Sequence, residues 1–397
     1  MSTSSEGSAV NTLERLLREA IERLASDMHF ETEADHFRVR LRIDGQLRII
    51  ATPDLKLRDA IISRIKVLAR MDIAEKRIPQ DGRIRYLHAN ELIDLRVSSL
   101  PTLHGEKVVI RILNFNKIRP SLETLGYEPD DCIKLIEAIH RPHGLILMTG
   151  PTGSGKTSSL YSCLELLNRP EINISTVEDP SEIHLKGVNQ VTVNERAGLT
   201  FASTMRALLR QDPDVIMIGE IRDMETAEIA IQASQTGHLV LSTLHTNDAP
   251  SSLVRLQHMG IAAFNVAASM SLVTAQRLIR RLCDDCKRPL PTDIAKHQLK
   301  QFSSCMNLHS KHIAQKSFYQ PVGCPLCTNG YKGRVGIYQV MPISEAMQIL
   351  VMQQSDLRAL STQASNEGMR TLRQAGYTKA TQGLTSLEEV LALTQHD

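Results

Sequence analysis

The chain has 397 residues, 42% of them apolar and 23% charged, with a net charge of +2. That length suggests two to three globular domains, and the charge gives no global pull toward nucleic acid or acidic lipid. No apolar run approaches the roughly 20 residues of a membrane span, and the first residues have neither the basic head nor the apolar core of a signal peptide, so a cytosolic protein is expected. Seven cysteines in a reducing compartment point to metal ligands or buried thiols. Trp is absent and aromatics are 4% of the chain, which argues against a surface that stacks bases.

Residues 1–10 are small and polar and read as a disordered start. An amphipathic helix over 11–26 puts Leu13, Leu16, Leu17, Ala20, Ile21 and Leu24 on one stripe. Alternation follows: Phe37, Val39, Leu41 and Ile43 face one way and Arg38, Arg40 and Arg42 the other, with Asp44-Gly45 as a hairpin turn. A helix at 56–71, a loop at 76–83 and strands at 84–87, 93–98 and 108–113 complete a small α+β domain, 11–118. Residues 117–121 read as a linker. From there helices alternate with short apolar strands at 144–149, 173–177, 214–219 and 238–243. The helices include 155–168, 200–210 and 223–235. This is the pattern of an α/β, RecA-like domain with a parallel sheet, 119–280. A loop-rich, cysteine-bearing module (281–332) and a polar, helix-prone C-terminal region (333–397) end the chain.

The strand 144–149 runs directly into Gly150, Pro151, Thr152, Gly153, Ser154, Gly155, Lys156 and Thr157. Such a loop turns its backbone N–H groups onto the phosphates of ATP. Lys156 would reach the β/γ-phosphates and the Thr157 hydroxyl would ligate Mg²⁺. A Gly/Ser surface turn would leave the strand–loop–helix arrangement unexplained. Two further strands end in carboxylates. Glu220 closes an apolar run, at the tip of the strand beside the phosphate loop, and suits a group that holds Mg²⁺ or orients the attacking water. The competing reading is a cap for the helix that follows. Glu178 lies in a second acidic strand end with Asp179 and Glu182, which together suggest an active-site wall at the C-terminal sheet edge. His245, at the end of the strand 239–244, is the better sensor candidate of the two histidines that flank that strand. His238 stands at the other end.

Cys283-x-x-Cys286 and Cys324-x-x-Cys327 form two knuckles 37 residues apart, a donor set for tetrahedral Zn²⁺. The long loop between them, 289–323, would be extruded. Cys132, Cys163 and Cys305 read as unpaired thiols. In the first domain Arg77, Arg83, Arg85, Arg96 and Arg111 sit on a turn and neighbouring strands. Composition alone favours a solvated basic face, although a phosphate-loop enzyme gains from an arginine that reaches the transition state.

Together these blocks resemble the secretion-superfamily traffic ATPases of type II secretion and type IV pilus assembly. The likeness runs from about residue 26 to 394. It includes 73–83, the phosphate loop, the Glu178-Asp-Pro box, 210–223 as an atypical Walker B, 236–247 as a histidine box, the tetracysteine segment of the secretion and pilus-extension branch, and 383–390. The resemblance implies a PAS-like first domain and a ring-shaped homo-hexamer with nucleotide between the first and RecA-like domains. It also implies work at the inner face of the cytoplasmic membrane on an inner-membrane platform protein, without a membrane span. Arg83 and Arg96 match positions that reach the phosphates, Glu220 becomes the water-polarising carboxylate with Glu178 assisting, and the zinc knuckle becomes a docking element. Family members commonly carry a further N-terminal domain, and this chain starts close to the second. A RecA-like DNA-handling ATPase is the rival reading, carried by the basic stretch 277–281 with Lys287 and Arg288; the near-neutral charge counts against it.

Overall fold

The computed structural model describes residues 3–113, 121–303 and 317–394. Cys305 and most of the expected linker lie outside them. The chain divides into two compact units, Met1–Ile118 and Arg119–Asp397.

The first unit opens with the helix Thr3–Glu22, which takes in most of the segment expected to be disordered. Its apolar stripe explains the early start: Ala9, Leu13, Leu16, Leu17 and Ala20 are all buried, so the polar residues before them are carried on a helix already anchored. Six strands follow: β1 (Asp27–Thr32), β2 (Phe37–Ile43), β3 (Gln46–Ala51), β4 (Gln80–His88), β5 (Glu91–Thr102) and β6 (Gly105–Leu113). They form one antiparallel sheet in the order β3-β2-β1-β6-β5-β4. The opening helix and the helix Arg58–Leu68 share a core with one face of this sheet, built from Phe30, Phe37, Leu41, Ile61, Ile65 and Val97. The period-2 alternation of β2 is what divides the two faces. The face away from the core is ionic. Glu31 is approached by Arg38 Nε at 2.9 Å, Arg40 Nη2 at 2.7 Å and Lys107 Nζ at 3.2 Å.

The second unit is built on β7 (Gly144–Thr149), β8 (Ile174–Glu178), β9 (Asn189–Thr192), β10 (Val215–Ile218), β11 (Leu239–Leu244), β12 (Met270–Leu282) and β15 (Tyr331–Pro342). The sheet order is β15-β12-β7-β11-β10-β8-β9. All neighbours run parallel except β15, which is antiparallel to β12, so the expected parallel sheet is mixed at one edge. β7, β10 and β11 are buried along their whole length, which is why they read as apolar runs, broken in β11 only by the buried Ser242 and Thr243. Helices cover both faces with separate cores, one around Ile218, Val240 and Val273 and one around Ile146, Met148 and Leu164.

β12 and β15 are the elements the sequence concealed. They form a long ribbon, and the cysteine-bearing segment is a loop between them, so this segment is an excursion from the main sheet. It carries the helix Thr292–Ser303 and a two-residue pairing of β13 (Arg288–Pro289) with β14 (Tyr319–Gln320). The C-terminal helices Glu345–Met352, Leu357–Asn366, Leu372–Thr381 and Leu387–Leu393 pack back onto the unit. Among the described residues, no helix is long and apolar enough to cross a membrane.

Candidate nucleotide site and tetracysteine cluster

Parallel register sets the geometry of the site. Thr149 at the end of β7 pairs with Leu244 of β11, and Ile218 of β10 pairs with Ser242 of β11 and Val177 of β8. The strands therefore end together. Gly150, His245, Glu220 and Glu178 follow one another across the same edge of the sheet. The sequence reading placed Glu220 on the strand beside the phosphate loop. β11 in fact lies between β7 and β10, and His245 stands at its tip.

The loop 150–155 turns from β7 into the helix Lys156–Leu167, whose first turn is preceded by Gly155 in the left-handed region at φ +91°. Gly150 has φ +141°, and a Cβ there would come within 2.5 Å of the Gln276 carbonyl oxygen. The loop is thus shaped for glycine at both ends. Lys156 Nζ donates to the carbonyls of Gly150 at 2.8 Å and Pro151 at 3.1 Å. Burial pulls its pKa below the usual lysine range, and the charge of Glu220 works in the opposite direction. Thr157 lies in the first turn of this helix.

Glu220 is held on both oxygens. Arg222 Nη2 donates to Oε1, and His245 Nε2 lies 3.4 Å from Oε2. Burial pushes its carboxyl up, but the hydrogen bond and charge of Arg222, with His245, outweigh it and hold the pKa below the ordinary value. Arg222 also reaches Asp179 Oδ2 at 3.3 Å, which links the tips of β10 and β8. The helix-cap alternative for Glu220 does not hold: Asp223 is the cap of Met224–Gln235, accepting from Thr226 N. Glu178 is buried and takes three side-chain hydrogen bonds, from Tyr161 OH, from Thr176 Oγ1 at 2.6 Å and from Gln190 Nε2 at 3.2 Å. Its neighbour Asp179 faces the Arg222 pair, and sequence reasoning missed that link because the partners are 43 residues apart.

His238 lies at the opposite sheet edge, where its backbone carbonyl accepts from Gly144 N at the start of β7 and its ring Nδ1 sits 3.1 Å from Ala233 O. It closes a turn. In the first unit, Arg83, Arg96 and Arg111 stand in register on β4, β5 and β6 and so line one face of that sheet. Arg83 donates from Nε to both oxygens of Asp94, at 2.7 and 2.6 Å, and Arg111 donates to Asp27 at 3.1 Å.

The four cysteines of the two knuckles converge. Sγ separations are 3.9 Å for Cys283 and Cys324, 3.7 Å for Cys286 and Cys327, and 3.6 Å for Cys324 and Cys327. Tetrahedral zinc with Zn–S bonds of about 2.3 Å requires sulfurs about 3.8 Å apart, so the donor set fits that ion. Each knuckle is a tight turn, closed by Cys286 N to Cys283 O and Cys327 N to Cys324 O. In the basic stretch beside it, three side chains have acidic partners. Arg280 bonds Glu389 and stacks 4.1 Å from the Tyr331 ring centroid, while Arg281 and Lys287 both reach Asp284.

Residues 2–392 match the family model described as type II/IV secretion system protein. The chain is 51% identical over 392 residues to the type IV pilus assembly ATPase PilB of Acinetobacter baylyi, covering 98% of this chain and 67% of that one. It is 46% identical over 387 residues to the type II secretion system ATPase E of Vibrio cholerae, covering 97% and 75%. Among solved structures, the pilus retraction motor PilT with bound ADP superposes with a TM-score of 0.66 at 26% identity, covering 96% of each chain. The Legionella pneumophila ATPase DotB shares the fold at a TM-score of 0.70, with 19% identity and coverage of 97% and 96%. The chain belongs to the type II/IV secretion system protein family.

Proposed function

We propose that this chain is a Mg-ATP-hydrolysing motor that drives type IV pilus assembly or type II secretion. The observation that carries the reading is the shared sheet edge, where the loop holding Lys156 and the carboxylate of Glu220 stand on either side of His245. The names of the relatives support the same activity. Loop 150–155 would bind the phosphates through its N–H groups, and Lys156 would exchange its carbonyl partners for the β/γ-phosphates. Thr157 would hold Mg²⁺, which supplies charge neutralisation to the phosphates. Glu220, ionised and oriented by Arg222 and His245, would accept a hydrogen bond from the attacking water. Glu178 would assist from the neighbouring strand, and His245 would sense the γ-phosphate.

The family resemblance assigns Arg83 and Arg96 to the nucleotide phosphates as well. It also implies a ring-shaped hexamer working peripherally at the inner face of the cytoplasmic membrane on a platform protein. Zn²⁺ on Cys283, Cys286, Cys324 and Cys327 would fix the excursion between β12 and β15 as a docking element. The test is phosphate release by the zinc-loaded protein with Mg-ATP. Turnover is expected and should be lost in Lys156→Ala and Glu220→Gln. Turnover that neither substitution reduces would refute the assignment.

A further inference from the structure

A loop that points its N–H groups at an anion must turn some of its carbonyls back into the protein. A carbonyl buried there needs a donor. The loop 150–155 meets that donor on β12. Because Ala275 pairs with Thr149 at the end of β7, the next residue, Gln276, lies level with the start of the loop. Its side-chain Nε2 donates to Ser154 O at 2.8 Å, across 122 residues of sequence. Gln276 is 1% exposed. A Cβ built on Gly155 would lie 3.2 Å from the same Nε2, and one on Gly150 would lie 2.5 Å from the Gln276 backbone oxygen. The loop therefore closes on this one residue at both its beginning and its end. The amide orientation is fixed by chemistry, since only the NH₂ end can face a carbonyl. Its Oε1 is buried without a hydrogen-bond partner among the described residues, as is Ser154 Oγ. A buried amide with one unpaired end is unfavourable for stability alone.

We propose that Gln276 is a positioning residue for the nucleotide: by holding the Ser154 carbonyl inward, it keeps the loop in the curvature that aims its N–H groups at the phosphates. The inference rests on the nucleotide-binding reading above. It places a determinant of phosphate affinity on the strand that continues to Leu282, directly before Cys283.

Gln276→Met keeps the side chain's length and removes its donor. Gln276→Glu replaces the donor with an acceptor facing the carbonyl. Both are made in the full chain and titrated with Mg-ATP, with KM, kcat and the ligand-free melting temperature measured in parallel. Gln276→Met is expected to raise the dissociation constant and KM about tenfold, the effect of one lost hydrogen bond, with kcat within about threefold of the parent. Gln276→Glu should be weaker still, and it should regain affinity relative to the parent from about pH 8 to about pH 6, where a protonated carboxyl can again donate. That rescue keeps the test open should the Met variant not fold. Unchanged affinity in both variants, or a melting temperature that falls while KM stays constant, overturns the inference. If the parent protein itself binds no nucleotide, the nucleotide reading fails as well, and that result is distinct from a parent that binds beside variants that bind equally.

Discussion

The ammonium of Lys156, at the start of its helix, lies 2.8 Å from the carbonyl oxygen of Gly150, six residues earlier at the start of the loop. The cation thus rests on partners of its own backbone, part-buried and with its pKa lowered by desolvation. Phosphate binding would replace two neutral acceptors by charged ones, which is favourable for a desolvated ammonium. Lys156→Ala is expected to weaken Mg-ATP binding by about 3 kcal/mol, or roughly a hundredfold or more, with little change in melting temperature. Titration with a fluorescent ATP analogue checks it, and near-parental affinity would contradict it.

Gly150 offers a test of loop shape that leaves every charge in place. Alanine there would have to adopt φ +141° with its Cβ 2.5 Å from Gln276 O. Gly150→Ala should lose nucleotide binding and destabilise the ligand-free protein by about 2–3 kcal/mol. Chemical denaturation monitored by circular dichroism reads the second effect.

The cysteine cluster joins two strands of the main sheet at their far ends, so its loss should be felt beyond the knuckles. Cys286→Ser is expected to abolish stoichiometric zinc in elemental analysis and to lower the melting temperature by about 5–10 °C. A variant that keeps its zinc and melts like the parent would show that the thiolates are not the ligand set.

Glu31 gives the first unit a pH signature. Burial raises its carboxyl, but hydrogen bonds from Arg40, Arg38 and Lys107 outweigh that and hold it down to about 2. A carboxyl depressed on folding contributes stability that is complete above its ordinary value of 4.5 and lost as pH falls toward about 2. Glu31→Gln should therefore cost about 3 kcal/mol at neutral pH and flatten the acid limb of the stability curve between those values. A parallel shift of the whole curve would contradict this origin.

Local patterns carried much of this structure. The helix stripe at Leu13–Ile21, the alternation of β2 and the apolar runs of β7, β10 and β11 each declare their burial within a few residues. The phosphate loop and the cysteine pairs are equally local. β12 and β15 were hidden because buried polar residues interrupt them, Gln276 in one and Gln339 in the other, and because Gly333 and Gly336 weaken the strand signal in β15. The polar interruptions make long-range hydrogen bonds: Gln276 Nε2 donates to Ser154 O in the loop 150–155, and Gln339 Oε1 accepts from Ala249 N, 90 residues away, at the start of the helix Ala249–His258. The Arg222–Asp179 link and the insertion of β11 between β7 and β10 were invisible for the same reason, since strand order and side-chain partners across a parallel sheet are set by packing far along the chain.

Glu220→Gln tests the central claim most directly. The substitution keeps the site's shape and removes the charge that would orient water, so the nucleotide that stays with the purified, zinc-loaded protein after incubation with Mg-ATP reports binding and cleavage separately. Intact ATP retained by Glu220→Gln, with ADP on the parent, is the result expected. ADP on both proteins, or no nucleotide on either, would contradict the account.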